Sequence, residues 1–147
     1  KKQDKAKLIL VGKGRETDNL KKLAIELNIN SRICWIKNYE NIKDIFLLSN
    51  SFVLTSEYEG LGLVLLEAMS SKTPIIASKS SAIPEVIKNN FNGYLFKKNN
   101  FKNLAKKLFL IENKKTQEKF KKNGLIFLKE KFNLDKMNKM TTKIYNS

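Results

Sequence analysis

Apolar and polar positions follow two different patterns along the chain. Short, nearly continuous apolar runs favour buried strands, and longer segments in which apolar residues recur every three or four positions favour helices. The predicted strands are 8–11, 33–36, 52–55, 74–78 and 93–96. The predicted helices are 16–28, 42–48, one that carries residues 63–69, and then 101–113, about 115–131 and 134–146. Strands that alternate with helices predict a doubly wound α/β fold, in which helices cover both faces of a parallel sheet.

The first predicted helix illustrates the expected packing. Leu20, Leu23, Ala24 and Leu27 share one helical face, so we expect that face to be buried. The 147 residues match the length of one domain and are enough to bury a core, which predicts a single domain over 1–147. No apolar run approaches the ~20 residues of a membrane span.

Composition narrows the chemistry that the chain can perform. The sequence contains no histidine, which excludes a histidine triad and a zinc site built on histidine. Its single cysteine, Cys34, cannot form an internal disulfide and lies in the apolar stretch RICWI. We therefore expect Cys34 to be reduced, buried and inert, as suits a cytosolic protein.

The formal net charge of +15 leaves two interpretations open. The basic residues are lysines apart from Arg15 and Arg32, and asparagine and isoleucine are abundant too. An AT-rich coding sequence favours these three residue types, so the charge can be compositional drift spread over solvated faces. A real electrostatic role would instead point to an anionic ligand or an acidic membrane surface.

Glycines and polar residues follow the predicted strands, where a doubly wound sheet binds its ligands. Gly12 and Gly14 follow the first strand, although a tight strand-to-helix turn explains this pair equally well. Gly60 and Gly62 lie where the third strand gives way to a helix. Glycine lets a ligand approach the backbone, and the free N–H groups of a helix start attract phosphates. The pattern therefore indicates a phosphate-bearing ligand.

Two acids flank this second pair of glycines. Glu59 precedes the helix, and Glu67 lies inside it in the apolar run LVLLEAM. Glu67 can be a surface acid, or a buried acid paired with a lysine. Alternatively it faces a ligand and accepts hydrogen bonds from two neighbouring hydroxyl groups, such as those of a ribose. Spacing alone favours neither.

Four segments together carry a family resemblance: LILVGKGRE, FVLTSEYEGLGLVLLEAM, TPIIASKSSAIPEVI and NGYLF. In this order and spacing they resemble the nucleotide-binding C-terminal half of retaining GT-B glycosyltransferases, the family 4 or group 1 type. The signature E-x7-E falls at Glu59 and Glu67. The resemblance covers residues 8–96 specifically and implies a Rossmann-like α/β domain.

The resemblance implies roles for individual residues. Glu59 would contact hydroxyl groups of the donor sugar and is the candidate catalytic residue. Backbone amides of residues 60–63 would hold the sugar and diphosphate, and Glu67 would bind the ribose. The residues implied to bind the donor are Gly12, Gly14, Ile36, Lys37, Gly60, Leu61, Gly62, Leu63 and Glu67.

Two of these roles keep a structural alternative. Ile36 and Lys37 would flank the nucleotide base, but the end of a core strand explains them about equally well. Gly12 and Gly14 would leave room near the phosphates, and the tight strand-to-helix turn is their structural alternative.

One loop departs from the family pattern. Ser81 and Ala82 stand where the family usually has glycines, ahead of Glu85, which matches a family acid. A helix N-terminal acid is the structural alternative for Glu85.

Other parts of the family pattern fall outside this sequence. In the family, an Arg/Lys pair that clamps the diphosphate precedes the strand that corresponds to Leu8, and this sequence starts at Lys1, after that segment. The resemblance therefore implies that the chain lacks the N-terminal acceptor domain and this domain's first strand, and is inactive alone.

The implied function is transfer of a hexose from a nucleoside diphosphate sugar to an acceptor hydroxyl, with configuration retained, in polysaccharide or glycoconjugate biosynthesis. A UDP-sugar is the expected donor, no metal or other cofactor is expected, and the implied location is cytoplasmic, including the inner membrane face. One alternative is a sugar-nucleotide epimerase of the same architecture, which E-x7-E disfavours. Another is a non-catalytic basic module that binds anionic membrane or nucleic acid.

Overall fold

A computed structural model describes residues 6–60 and 62–132. The strands are β1 (Leu8–Val11), β2 (Ile33–Ile36), β3 (Phe52–Leu54), β4 (Ile75–Ser78) and β5 (Tyr94–Phe96). The helices are α1 (Thr17–Glu26), α2 (Ile42–Leu48), α3 (Leu63–Ser70), α4 (Ile83–Val86), α5 (Phe101–Ile111) and α6 (Lys114–Lys131). A 3-10 turn at Asn30–Arg32 and α4 were not predicted. The predicted helix 134–146 lies outside the described residues.

The described strands form two parallel sheets, β1–β2 and β3–β4–β5. The chain correspondingly divides into two compact units, Lys1–Ile42 and Lys43–Ser147. Parallel strands joined through helices confirm the predicted Rossmann-like α/β class. The boundary of a single domain at 1–147 stays a prediction.

In the first unit, the packing prediction for α1 is wrong for most of its apolar face. Ala24 is buried, but Leu20, Leu23 and Leu27 are each about half exposed. One helix and a two-stranded sheet offer little apolar surface, because small units bury a small fraction of their area. The period of a helix predicts which residues share a face, and the size of its partner decides how far they are covered.

Cys34 is exposed, so its predicted burial is also wrong. The side-chain ammonium of Lys21, on α1, lies 6.0 Å from the centroid of the Trp35 ring. Because neighbouring strand residues point to opposite faces, Cys34 lies on the face of the sheet that α1 leaves open.

In the second unit, helices pack on both faces of the three-stranded sheet. Phe46 of α2 meets Phe52 of β3 edge-on, with ring centroids 5.1 Å apart. On the opposite face, Phe120 of α6 meets Tyr94 of β5 edge-on at 4.9 Å. All four residues of β4 are buried, as expected for the central strand of a covered parallel sheet. Among the described helices, none combines the length and the apolar character that crossing a membrane would require.

Candidate functional site

The loops after β3 and β4 are held together by serine hydroxyls. The Ser78 and Ser80 hydroxyls both donate hydrogen bonds to the main-chain carbonyl of Ser56, at 2.6 and 2.8 Å. The Ser81 hydroxyl donates to the main-chain carbonyl of Glu59 at 2.9 Å. These bonds join the carboxyl ends of two neighbouring strands, where an α/β sheet binds its ligands.

Ser81 occupies a backbone conformation that suits glycine. Its φ is +45°, whereas the neighbouring Ala82 has a φ of −77°. Of the two family glycines that are replaced here, only the one at Ser81 therefore requires the left-handed region. The serine adopts this conformation and supplies a hydroxyl that glycine lacks, and this hydroxyl joins the loop to the one that carries Glu59.

The start of α3 depends on Gly62. This residue has a φ of +66°, and a Cβ there would lie 3.0 Å from the Leu65 Cδ1 atom. The first helical hydrogen bond runs from the Leu65 N–H to the Gly62 carbonyl, at 2.8 Å. The N–H groups that precede it, those of Leu63 and Val64, belong to the helix turn that has no intrahelical acceptors. Leu61 lies outside the described residues.

Glu67 is on the exposed side of α3. Leu65, Ala68 and Met69 are buried, while Leu63 and Glu67, four positions apart, share the open side of the helix. This placement excludes the buried, lysine-paired alternative for Glu67. It is compatible both with a surface acid and with an acid that faces a ligand.

Glu59 is half-buried and precedes α3 on the loop that Ser81 holds. Its main-chain carbonyl is occupied by the Ser81 hydroxyl, so the backbone there is anchored independently of the carboxylate. Gly60 follows and is exposed, with no atom within 4 Å of the position that a Cβ would take. The loop therefore combines a positioned acid with open backbone, which can accept hydrogen bonds from hydroxyl groups and donate to anions.

A cavity of about 430 Å³ opens beside this loop. It is lined by Gly60, Ala82, Glu85, Val86, Lys88, Phe127, Lys131 and Phe132. Of these residues, sequence reasoning had singled out Gly60, Ala82 and Glu85. Phe127 and Phe132 were missed because their position beside the cavity depends on the course of α6, which no local pattern shows. Glu85 is exposed and lies in the first turn of α4, as the helix N-terminal alternative requires, and its match to the family acid stays a prediction.

The remaining predicted site residues belong to the first unit, at the ends of β1 and β2. Gly12 has a φ of +125° and donates its N–H to the Ile36 carbonyl at 2.8 Å. The Thr17 hydroxyl donates to the Gly14 carbonyl at 2.8 Å and closes the turn into α1. Ile36 is half-buried, and Lys37 is exposed. The glycine pair thus has a structural reason at Gly12, and its nucleotide role stays a prediction.

Residues 1–126 match the family described as glycosyl transferases, group 1. The chain is 40% identical over 90 residues to an N-acetyl-alpha-D-glucosaminyl L-malate synthase of Bacillus anthracis, an alignment that covers 61% of this chain. It is 29% identical over 150 residues to a poly(ribitol-phosphate) alpha-N-acetylglucosaminyltransferase of Staphylococcus aureus, over 100% of this chain. The alignments span only 24% and 30% of the lengths of these two relatives.

Comparison with solved structures agrees with the sequence matches. The crystal structure of TarM aligns with a TM-score of 0.88 and 28% identity, over 99% of this chain and 30% of that one. A further crystal structure, of S. aureus TarM, is a complex with UDP, alpha-GlcNAc-glycerol and fondaparinux. Since the family match extends over most of the sequence and the fold agrees with GT-B neighbours, this chain belongs to the group 1 glycosyl transferases.

Proposed function

We propose that this chain is the donor-binding domain of a retaining glycosyltransferase. The full enzyme moves a hexose or an N-acetylhexosamine from a nucleoside diphosphate sugar to an acceptor hydroxyl. The observation that carries this proposal is the joined pair of loops after β3 and β4. The loop after β3 carries Glu59, the open backbone at Gly60 and the start of α3 in succession. Hydrogen bonds from the loop after β4 hold it.

In this proposal each part of the loop meets one part of the donor. The carboxylate of Glu59 accepts hydrogen bonds from hydroxyl groups of the sugar. The N–H groups at the start of α3 stabilise the negatively charged diphosphate, aided by the helix dipole. Glu67, one turn further along the open side of α3, accepts hydrogen bonds from the ribose hydroxyls.

The proposed reaction requires little acid-base catalysis by protein side chains. The bond between the anomeric carbon and the diphosphate oxygen breaks, and the acceptor oxygen bonds that carbon on the same face. The acceptor proton passes to the departing diphosphate. The protein therefore contributes chiefly by holding charge on the leaving group, the kind of stabilisation that oriented N–H groups provide. We propose that no metal ion is required.

The names of similar proteins support a particular donor. Two relatives are named for transfer of an alpha-linked N-acetylglucosaminyl group, and one complex of TarM contains UDP. Nucleotide sugars of this kind are themselves alpha-linked, so an alpha product corresponds to retention. UDP-N-acetylglucosamine is therefore the first donor to test.

The proposal assigns acceptor binding and the basic diphosphate clamp to parts of the protein outside residues 1–147. We infer that the chain alone binds nucleotide weakly and transfers no sugar. Sugar transfer by the 147-residue chain would overturn this inference.

Thermal unfolding with added nucleotides tests the donor assignment. UDP, GDP, ADP and their sugar conjugates are compared at equal concentration. A ligand at ~100 times its dissociation constant adds roughly 2.7 kcal/mol of stability, which gives a readily measured rise in melting temperature. We expect the largest rise with UDP or a UDP-sugar. Equal small rises with every nucleotide would reduce the site to a nonspecific anion site and contradict the proposal.

A further inference from the structure

The outward side of α5 carries exposed aromatic residues. Phe101 is 77% exposed and Phe109 is 55% exposed, and they lie two helical turns apart on one side of the helix. Lys102 and Lys106 are exposed beside them. We call these four residues the α5 outer face. Two such aromatic side chains on one helix are unusual for a surface in contact only with water, because exposed apolar patches commonly mark interaction sites.

The fold does not require these aromatic residues for its core. The opposite side of α5 supplies Leu104, Leu108 and Ile111, which pack with the core cluster around Ile76 and Phe120. The core side of the helix is therefore complete without Phe101 and Phe109.

The charged residues in and just before α5 are all lysines. Lysines occur at Lys97, Lys98, Lys102, Lys106 and Lys107, and no acid occurs from residue 97 to 111. Two of these lysines have partners within the fold. Lys98 forms an ion pair with Glu57 at 3.6 Å, and the Lys107 ammonium lies 4.6 Å from the centroid of the Tyr94 ring.

The two lysines of the α5 outer face, Lys102 and Lys106, are exposed. Among the described residues, Lys102 and Lys106 form no ion pair, and the nearest acid along the chain is Glu112, beyond the end of the helix. The outer face therefore presents aromatic rings flanked by positive charge.

We propose that the α5 outer face docks on the surface of an anionic lipid membrane. Phe101 and Phe109 enter the boundary between headgroups and acyl chains, while Lys102 and Lys106, beside them around the helix, lie among the negatively charged headgroups. A helix with apolar residues and lysines side by side has the composition of interfacial membrane helices. A second copy of the same face is disfavoured because the two positive faces would repel each other. This proposal does not depend on the donor site.

Vesicle flotation of the full 147-residue chain tests the proposal. Vesicles of phosphatidylcholine are compared with vesicles that also contain phosphatidylglycerol. One variant carries Lys102→Gln and Lys106→Gln, and its matched control carries Lys119→Gln and Lys122→Gln on α6. A second variant carries Phe101→Gln and Phe109→Gln, with Ile126→Gln on α6 as its control. All altered side chains are exposed, so melting temperatures should stay close to the wild-type value.

We expect binding to anionic vesicles only, and less binding at high salt. Each lysine near an anionic surface contributes about fivefold to partitioning, so the α5 lysine pair should lower it roughly 25-fold. The phenylalanine pair should lower it at least about tenfold. Both α6 controls should bind almost as wild type does.

Several results would overturn the assignment. Equal losses in the α5 and α6 lysine variants would mean that only total charge matters. Equal binding to neutral vesicles, or no binding at all, would exclude an anionic lipid partner. Self-association that Phe101→Gln and Phe109→Gln abolish would assign the face to a second copy. Tighter binding to single-stranded DNA than to vesicles, lost in the α5 variants, would assign it to nucleic acid.

Discussion

The hydroxyl of Ser81 donates a hydrogen bond of 2.9 Å to the main-chain carbonyl of Glu59, which joins two loops that are 22 residues apart in sequence. Ser81 does so from a backbone with φ +45°. The residue thus combines an unfavourable backbone conformation with a contact that only its side chain can make. The loop that carries the candidate catalytic acid is held by this contact.

Substitution of Ser81 separates these two effects. Ser81→Ala keeps the positive φ and loses the hydrogen bond, so it should lower the free energy of unfolding by about 1 kcal/mol. Ser81→Gly loses the same bond but relieves the backbone, so it should remain within about 0.5 kcal/mol of wild type. Urea unfolding followed by circular dichroism measures both. If Ser81→Ala were the more stable of the two, the positive φ would not be unfavourable. If Ser81→Ala were as stable as wild type, the hydrogen bond would not anchor the loop.

Glu67 should matter for nucleotide binding and little for stability. Its carboxylate is exposed, so Glu67→Ala should leave the melting temperature nearly unchanged. A lost hydrogen bond to a charged acceptor is worth about 1.5–3 kcal/mol, which corresponds to a loss of nucleotide affinity of about tenfold or more. Calorimetric titration with UDP measures this loss of affinity.

Glu112 provides the matched control for Glu67. It is an exposed acid at the end of α5, outside the proposed site. Glu112→Ala makes the same change in net charge, so equal weakening in both variants would show that Glu67 acts only through overall charge.

Asn92 is a buried polar residue on which the second unit depends. It is 1% exposed; its side-chain oxygen accepts from the Lys88 N–H at 2.7 Å, and its amide donates to the Val86 carbonyl at 3.0 Å. Asn92→Ala leaves both backbone groups without this partner and should cost about 2–4 kcal/mol. Urea unfolding measures this loss, and the exposed Asn50→Ala should be nearly neutral. Similar values for the two would contradict a structural role for Asn92.

Gly93 and Gly124 should respond to alanine in opposite directions. A Cβ at Gly93 would lie 2.8 Å from the Ile75 carbonyl oxygen, part of the central strand, so Gly93→Ala should destabilise by about 1–3 kcal/mol. At Gly124, inside α6, the nearest atom is the Met69 Cγ at 3.4 Å, an ordinary contact. Gly124→Ala should therefore gain up to about 1 kcal/mol from helix propensity. Thermal unfolding of the two variants checks the order, and the reverse order would contradict the packing around both glycines.

The local pattern predicts elements well where it repeats. The runs at β1, β2 and α2 match their predicted limits, and the other described elements that were predicted differ by a residue or two at their ends. α4 was missed because four residues are too few to show a helical period. The half-exposed Leu20 and Leu23 show the other limit, since a pattern identifies a face and cannot show how much surface covers it.

Some residues of the candidate site could likewise be predicted from the sequence, and others could not. Spacing and family resemblance singled out Glu59 and Glu67, and the structure places Glu67 on an open helix side. The role of Ser81 could not be predicted, because its hydrogen bond depends on a contact between distant loops. The aromatic residues beside the cavity were missed for the same reason.

We propose that UDP binds at the joined loops after β3 and β4. Backbone amide chemical shifts of the isotopically labelled chain, recorded during titration with UDP, test it most directly. We predict that the largest shifts fall on Gly60, Gly62, Leu63, Glu67 and Ser81, and that Glu67→Ala suppresses them. Shifts confined to the lysine-rich helices α5 and α6, or none at saturating UDP, would contradict the claim.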